Sequence, residues 1–453
     1  MNCDIKLIKL IALCTVIVTV FHENVCSKKV TVQKENYEPD YTVYHNVTSI
    51  VSEMTDIVNK YRKYIIRSDE FRSKSGHSQL LIRISNFTSE RADGDKVKIL
   101  LAFGEHAREF FPVESMLFFV KNLTGGLDKL HEGSSVGAYS AWVLNNFDIH
   151  IIGMTNPDGR NYLEQTRNYC WRGTGSGIDL NRNFDWNFAG PGSSKDSHDE
   201  EFRGPRPFSE PETHVFTKLA AKISFDAFLS FHSGIRHIYL PFADTQSKQQ
   251  NRLPENIDHM LKLARRMSHS SPSRPFKFGL AHQLIEYTAD GTSFDYMAGA
   301  ASVPFSLAVE MWGYGNHTGP SCFDEFNPRS EHLQDEVELV HPLYVDLLSY
   351  LFTWKTRNAA ARKRVLPGLV RVKKDSRLNT QQQQQQDVLD VSQTSLEIVH
   401  GASLESQVVC VIFALAASLC VILSARHMCQ VMRKKRIVSL KSLSMTFSLY
   451  KQL

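Results

Sequence analysis

Four apolar runs stand out along the chain: Val97–Phe103 (VKILLAF), Phe147–Met154 (FDIHIIGM), Phe225–Phe231 (FDAFLSF) and Pro304–Val309 (PFSLAV). Each is rich in branched or aromatic residues and reads as a strand buried on both faces. Between them the period lengthens. Val113–Leu123 reads as a helix. Ser209-Glu210-Pro211-Glu212 has the form of a capping box with proline in the first turn, which predicts a helix through about Lys222. From about Tyr44 to Phe352 the two kinds of signal alternate, so residues 44–355 are expected to form one globular α/β domain. No internal repeat interrupts it.

The two ends follow other patterns. Lys6 and Lys9 precede an apolar stretch from Leu10 to Phe21, and Val25-Cys26-Ser27 offers small residues for cleavage. Residues 1–27 thus read as a secretory signal peptide, with an uncleaved anchor as the alternative. Residues 28–43 form a short polar segment. Beyond the domain, 356–407 is basic at first, then carries glutamine at 381–386, then turns acidic, as expected of a disordered stalk. Residues 408–425 (VVCVIFALAASLCVILSA) are uncharged and long enough for one transmembrane helix. Arg426 and Arg433-Lys434-Lys435-Arg436 follow, while 387–407 has four acids and no Lys or Arg. That asymmetry predicts a cytoplasmic tail at 426–453 and a type I, single-pass topology with the domain extracellular or lumenal.

Composition is that of a folded protein, with 42% hydrophobic and 22% charged residues. The net charge of +4 is a property of the tail, since the last 46 residues hold seven basic residues and no acid. Between residue 27 and that tail, 43 basic residues face 46 acidic ones, so nothing there points to nucleic acid and none is expected as a partner. Asn46, Asn86, Asn122 and Asn316 each head an Asn-X-Thr glycosylation sequon, consistent with export. Of eight cysteines only Cys170 and Cys322 fall in the domain. In an oxidising compartment they are expected to pair, the alternative being two separate buried thiols.

The candidate chemistry begins where the first run ends. His106 and Glu109 in FGEHAREF are three apart, so at the start of a helix they would share a face. Chance readily produces such a pair in a chain with 18 histidines, and His198/Glu201 is a second one. The second lies in a polar stretch with no strand before it and reads as solvated loop. The first follows a buried strand, where α/β folds place ligand sites. A catalytic zinc needs three protein ligands. His232, at the end of another apolar run, is the third candidate, although a lone strand-end histidine is more often a hydrogen-bonded core residue.

Five stretches together identify a resemblance: GEHAREF (104–110), NPDGRNY…CWRGT (156–174), DLNRNF (179–184), FHSG (231–234) and YTADGTSFDY…PFSLAVE (287–310). In order and spacing they resemble the zinc metallocarboxypeptidases of the funnelin (M14) type, the family of the pancreatic digestive enzymes. The match covers about residues 44–355. It implies a central mixed sheet of about eight strands flanked by helices, and one zinc ion per chain held by His106, Glu109 and His232. Glu310 corresponds to the family's general base and acid, and Arg172 to the arginine that stabilises the oxyanion. Asn181 and Arg182 correspond to the pair gripping a substrate's terminal carboxylate, Arg108 to a further substrate-binding arginine, and Asp179 to the carboxylate orienting the first histidine. Tyr287 and Phe294 match the mobile tyrosine and the residue at the base of the specificity pocket.

The resemblance thus implies an exopeptidase acting on peptide or protein C-termini. Phe294, where an acid would select Lys or Arg, points to apolar or aromatic end residues. Gly234 stands where digestive members carry tyrosine, so that subsite is expected to be more open. No room for an inhibitory pro-domain is evident before the domain, nor a β-sandwich after it. Two alternatives are an amide hydrolase of another kind, disfavoured by Asn181, Arg182 and Tyr287, and an inactive binding or adhesion receptor on the same scaffold.

Overall fold

The computed structural model describes residues 38–89, 95–130, 133–285, 287–313, 315 and 321–365. The expected leader, the Asn316 sequon, most of the stalk, the apolar span and the basic tail lie outside the described residues. No described helix is long and apolar enough to cross a membrane.

Eight strands form one mixed sheet: β1 (Ile65–Ser68), β2 (Leu81–Ile84), β3 (Val97–Phe103), β4 (Phe147–Ile152), β5 (Ala227–His232), β6 (His237–Leu240), β7 (Lys277–Leu280) and β8 (Phe305–Glu310). Their order is β1-β2-β4-β3-β5-β8-β6-β7. The four centre strands, β4, β3, β5 and β8, run parallel, while β1, β2 and β6 pair antiparallel to their inner neighbours. All four apolar runs of the sequence are these centre strands, with ends within two residues of those expected.

Period two explains why such runs stay apolar throughout. Ile99, Leu101 and Phe103 of β3 join a hydrophobic cluster on one face, while Leu100 and Ala102 join the other. The first cluster takes in helices Val47–Lys60, Phe111–Asp128 and Pro342–Val365. The second takes in helices His214–Lys222 and Ser293–Gly299. A side chain such as Leu101 or Leu229 is wholly buried, and truncating one to alanine costs about 2–5 kcal/mol.

Three expectations need correction. The capping box is not made: a 3-10 turn spans Pro211–Thr213, and the α-helix begins at His214. The Ser209 hydroxyl donates to Glu210, and Glu212 accepts from Lys74 N instead of folding back on Ser209. The stalk does not begin at 356, because the last helix continues to Val365 through a run of good helix formers, Ala359-Ala360-Ala361-Arg362-Lys363-Arg364. His106 and Glu109 do not share a helix face either. The helix starts at Phe111 with Phe110 as its N-cap, so both residues lie in the turn before it.

Candidate active site

Parallel strands deliver their C-terminal ends to one edge of the sheet. There β3 gives way to the 104–110 turn, β5 ends on His232, and β8 ends on Glu310, the register partner of His232. Phe103 and Phe231 are also register partners, and their rings stack at 4.6 Å, fixing the two strand ends against each other. Gly104 turns the chain at φ +67°, a left-handed conformation that glycine takes most easily, and a Cβ there would press on Met154 Sδ at 3.0 Å.

Residues 156–160 hold the turn by its carbonyls. Asn156 N donates to Gly104 O, Asn156 Nδ2 to Glu105 O at 3.1 Å, and the wholly buried Arg160 to Ala107 O (2.8 Å) and Glu109 O (3.1 Å). The Arg160 guanidinium also lies 3.5 Å from the Phe110 ring centroid. From the other side Asn327 Nδ2 donates to Arg108 O, while its Oδ1 accepts from Phe110 N and Phe111 N and so caps the helix. The sequence alone marks a role for neither residue: Arg160 lies within the NPDGRNY stretch, whereas nothing local marks Asn327.

The turn presents a buried donor set. His106, Glu109 and His232 offer ligand atoms all within 4.8 Å of one another. His106 Nδ1 is 3.2 Å from His232 Nδ1 and 2.6 Å from Glu109 Oε1, and Glu109 Oε2 is 3.1 Å from His232 Nδ1. Donors at about 2.0–2.1 Å from one tetrahedral ion lie about 3.3 Å apart, so two nitrogens and a carboxylate placed like this fit zinc. Each histidine's other nitrogen is engaged. His106 Nε2 is 3.2 Å from Asp179 Oδ1, and His232 Nε2 is 2.6 Å from Ser230 Oγ, which itself donates to Glu105. Such partners fix the imidazole orientation. Electrostatics agree: burial depresses His232, yet Glu109, Glu105 and Glu310 raise it to about 9, so the cluster favours positive charge.

Asp179 links this cluster to an arginine. Its Oδ2 accepts from Arg172 Nε at 2.9 Å while Oδ1 faces His106. Burial pushes the Asp179 carboxyl up, but Arg172, His106 and Arg182 outweigh it and hold it well below its usual range. Arg172 follows Cys170, which forms the expected disulfide with Cys322, Cα atoms 5.2 Å apart.

A cavity of about 710 Å³ opens beside these groups, lined by Arg108, Glu109, Arg172, Tyr287 and Glu310 among others. Residues 50–340 match the family model described as zinc carboxypeptidase. The chain belongs to that family. It is 28% identical to human (Homo sapiens) carboxypeptidase O over 288 residues, covering 61% of this chain and 72% of that one. It is also 28% identical to rat (Rattus norvegicus) carboxypeptidase A2 over 285 residues, or 60% of this chain and 63% of that one. In fold it is similar to bovine thrombin-activatable fibrinolysis inhibitor in complex with tick carboxypeptidase inhibitor (TM-score 0.58, 21% identity, 69% of this chain and 99% of that chain). It is likewise similar to carboxypeptidase A from Helicoverpa armigera (TM-score 0.57, 22% identity, 68% and 74%). Members of this zinc carboxypeptidase family are hydrolases that use one zinc ion, which the donor set accommodates.

Other expected residues are placed less simply. Phe294 is buried in the second hydrophobic cluster and does not line the cavity, which draws its apolar wall from Ile235, Tyr239, Ile285 and Trp312. Gly234 lines the cavity beside the Phe326 ring, which lies 3.1 Å from the position a Cβ would take. Asn181 and Arg182 are buried just behind the lining, and Asn181 Oδ1 already accepts from Ser293 N. His198 is exposed, as a solvated loop requires, and two acids that follow it reach arginines of the site while staying open to solvent. Glu200 pairs with Arg108 and Glu201 with Arg182, each at 2.8 Å. Their signal in the sequence was only an acid-rich stretch.

Proposed function

We propose that this chain is a zinc-dependent carboxypeptidase that hydrolyses the C-terminal peptide bond of peptides or proteins. The observation that carries the reading is the buried His106–Glu109–His232 set converging at a cavity that Glu310 and Arg172 also line. His106, Glu109 and His232 would hold the zinc, which when bound supplies Lewis acidity toward a water and the scissile carbonyl. Glu310, its carboxyl pushed up to about 7 chiefly by burial, accepts the proton of the attacking water and returns it to the departing amine. Arg172, fixed by Asp179, meets the negative charge that develops on the carbonyl oxygen. Arg182 takes the substrate's terminal carboxylate, and Asn181 can add a donor only through Nδ2. Tyr287, 60% exposed at the cavity wall, is free to fold over a bound peptide end.

The apolar wall of Ile235, Tyr239, Ile285 and Trp312 supports a preference for apolar or aromatic end residues. The charge-free 408–425 segment and its basic flank support a type I membrane ectoenzyme, with Asn46, Asn86, Asn122 and Asn316 as glycosylation sites. Cleavage of peptides ending in Phe, Leu, Lys or Glu, with and without chelator, tests the chemistry. Release of the end residue that survives chelation, or cleavage of amidated peptides as fast as free ones, would overturn it. Protease protection of the tail in sealed vesicles tests the topology, and a digested domain with a protected tail is the expected result.

A further inference from the structure

Arg182 is occupied by the protein itself. Its Nη2 donates to Glu201 Oε1 at 2.8 Å, its Nη1 to Asn181 O at 2.9 Å, and its buried Nε has no partner among the described residues. Arg182 is 4% exposed, whereas Glu201 is 38% exposed and lines the main cavity. Any ligand approaching the guanidinium from the cavity therefore meets a carboxylate already bound to it. We propose that Glu201 is a specificity-determining residue, a stand-in for the substrate's terminal carboxylate that must leave Arg182 before a peptide end can bind. The proposal rests on the assignment of Arg182 as the carboxylate grip.

The carboxylate is not needed to hold its own loop. That loop is closed by backbone bonds, Ser194 N to Glu201 O, Arg203 N to Ser194 O and Asp179 N to Phe202 O, while Glu201 N is held by Asp199 Oδ1. Nor does Glu201 saturate Arg182. One oxygen meets one Nη, whereas a free carboxylate can take Nη2 and the idle Nε as a two-pronged pair, the stronger arrangement. Displacement also has somewhere to go. Glu201 also lines a second cavity of about 460 Å³, whose lining includes the cation of Lys248, which leaves room on that side for the released carboxylate. The result is an exchange of one carboxylate for another, which raises the concentration of substrate needed for binding and penalises ends that carry a further negative charge.

The test compares the zinc-loaded wild type with Glu201→Gln and Glu201→Ala. Binding of N-acetyl-L-phenylalanine and of its amide is measured by calorimetry, alongside KM and kcat on a peptide ending in Phe. Both variants should bind the free acid at least about fivefold more tightly, with KM falling to match and the effect confined to KM rather than kcat. The amide, which has no carboxylate to compete, should gain nothing. Unchanged or weaker binding of the free acid in both folded variants overturns the proposal. A wild type that binds the acid yet cleaves no peptide would instead sink the proposed activity and leave the Glu201 comparison readable in the calorimeter.

Discussion

His232 and Glu310 end adjacent parallel strands in register, so a metal-ligand candidate and a carboxyl pushed up to about 7 are set side by side by backbone pairing alone. Burial is the main cause of that rise, and His232, His106 and Arg172 oppose it. A proton acceptor works only when ionised, so kcat/KM should fall as pH drops through the Glu310 value. The charge of bound zinc pulls that value down, which puts the acid limb below pH 7 in the loaded enzyme. Glu310→Gln should lose about 10²–10⁴ in kcat while zinc content stays full. A pH–rate profile with metal analysis checks both, and a variant that keeps its rate refutes the assignment.

Asp179 serves His106 and Arg172 with one oxygen each. Asp179→Asn keeps the shape but removes the charge, and zinc affinity should fall about 10- to 100-fold. Competition against a chromogenic chelator measures this without reference to activity.

Glu212 is wholly enclosed, and burial raises it to about 7, against an unfolded value of about 4.3. The folded state therefore binds this proton more tightly than the unfolded one. Stability is lost as pH rises from the unfolded value toward about 7, the reverse of the usual carboxylate. Glu212→Gln should be nearly neutral at about pH 5 and stabilising by about 1–3 kcal/mol at about pH 8. Urea unfolding at the two values decides it; equal shifts at both would refute the sign.

The Cys170–Cys322 bridge ties the segment carrying Arg172 to the one carrying Phe326 and Asn327. Replacing both cysteines by serine should cost about 2–4 kcal/mol. The cavity rim should loosen with it, read as faster amide exchange over 168–174 than in the wild type.

What was legible in the sequence follows from where the information sits. The centre strands could be read because burial on two faces leaves them no polar positions to confuse the pattern. His106, Glu109, His232 and Glu310 could be read because they stand in short motifs at the ends of β3, β5 and β8, and Arg172 and Asp179 because they stand in motifs of the segment after the helix Pro157–Thr166. Phe326 against Gly234 and Asn327 capping Phe110 and Phe111 could not, since each joins segments far apart in the chain, and Glu201 on Arg182 could not because it sits in an acid-rich stretch with no motif around it. Phe294 is a different case: a position in a motif does not say which way a ring turns, and this one packs in the second hydrophobic cluster.

Arg160 bears on time rather than geometry. A wholly buried guanidinium that spends its bonds on Ala107 O and Glu109 O makes the ligand turn and the helix Pro157–Thr166 one cooperative unit. The backbone of Glu109 is therefore tied to that helix. The escape of a bound ion should then be clocked by local unfolding of residues 156–166, and Arg160→Met should speed zinc release far more than it weakens zinc capture. Stopped-flow chelation of the two proteins, set beside amide exchange at those residues, would show whether the two clocks keep the same time.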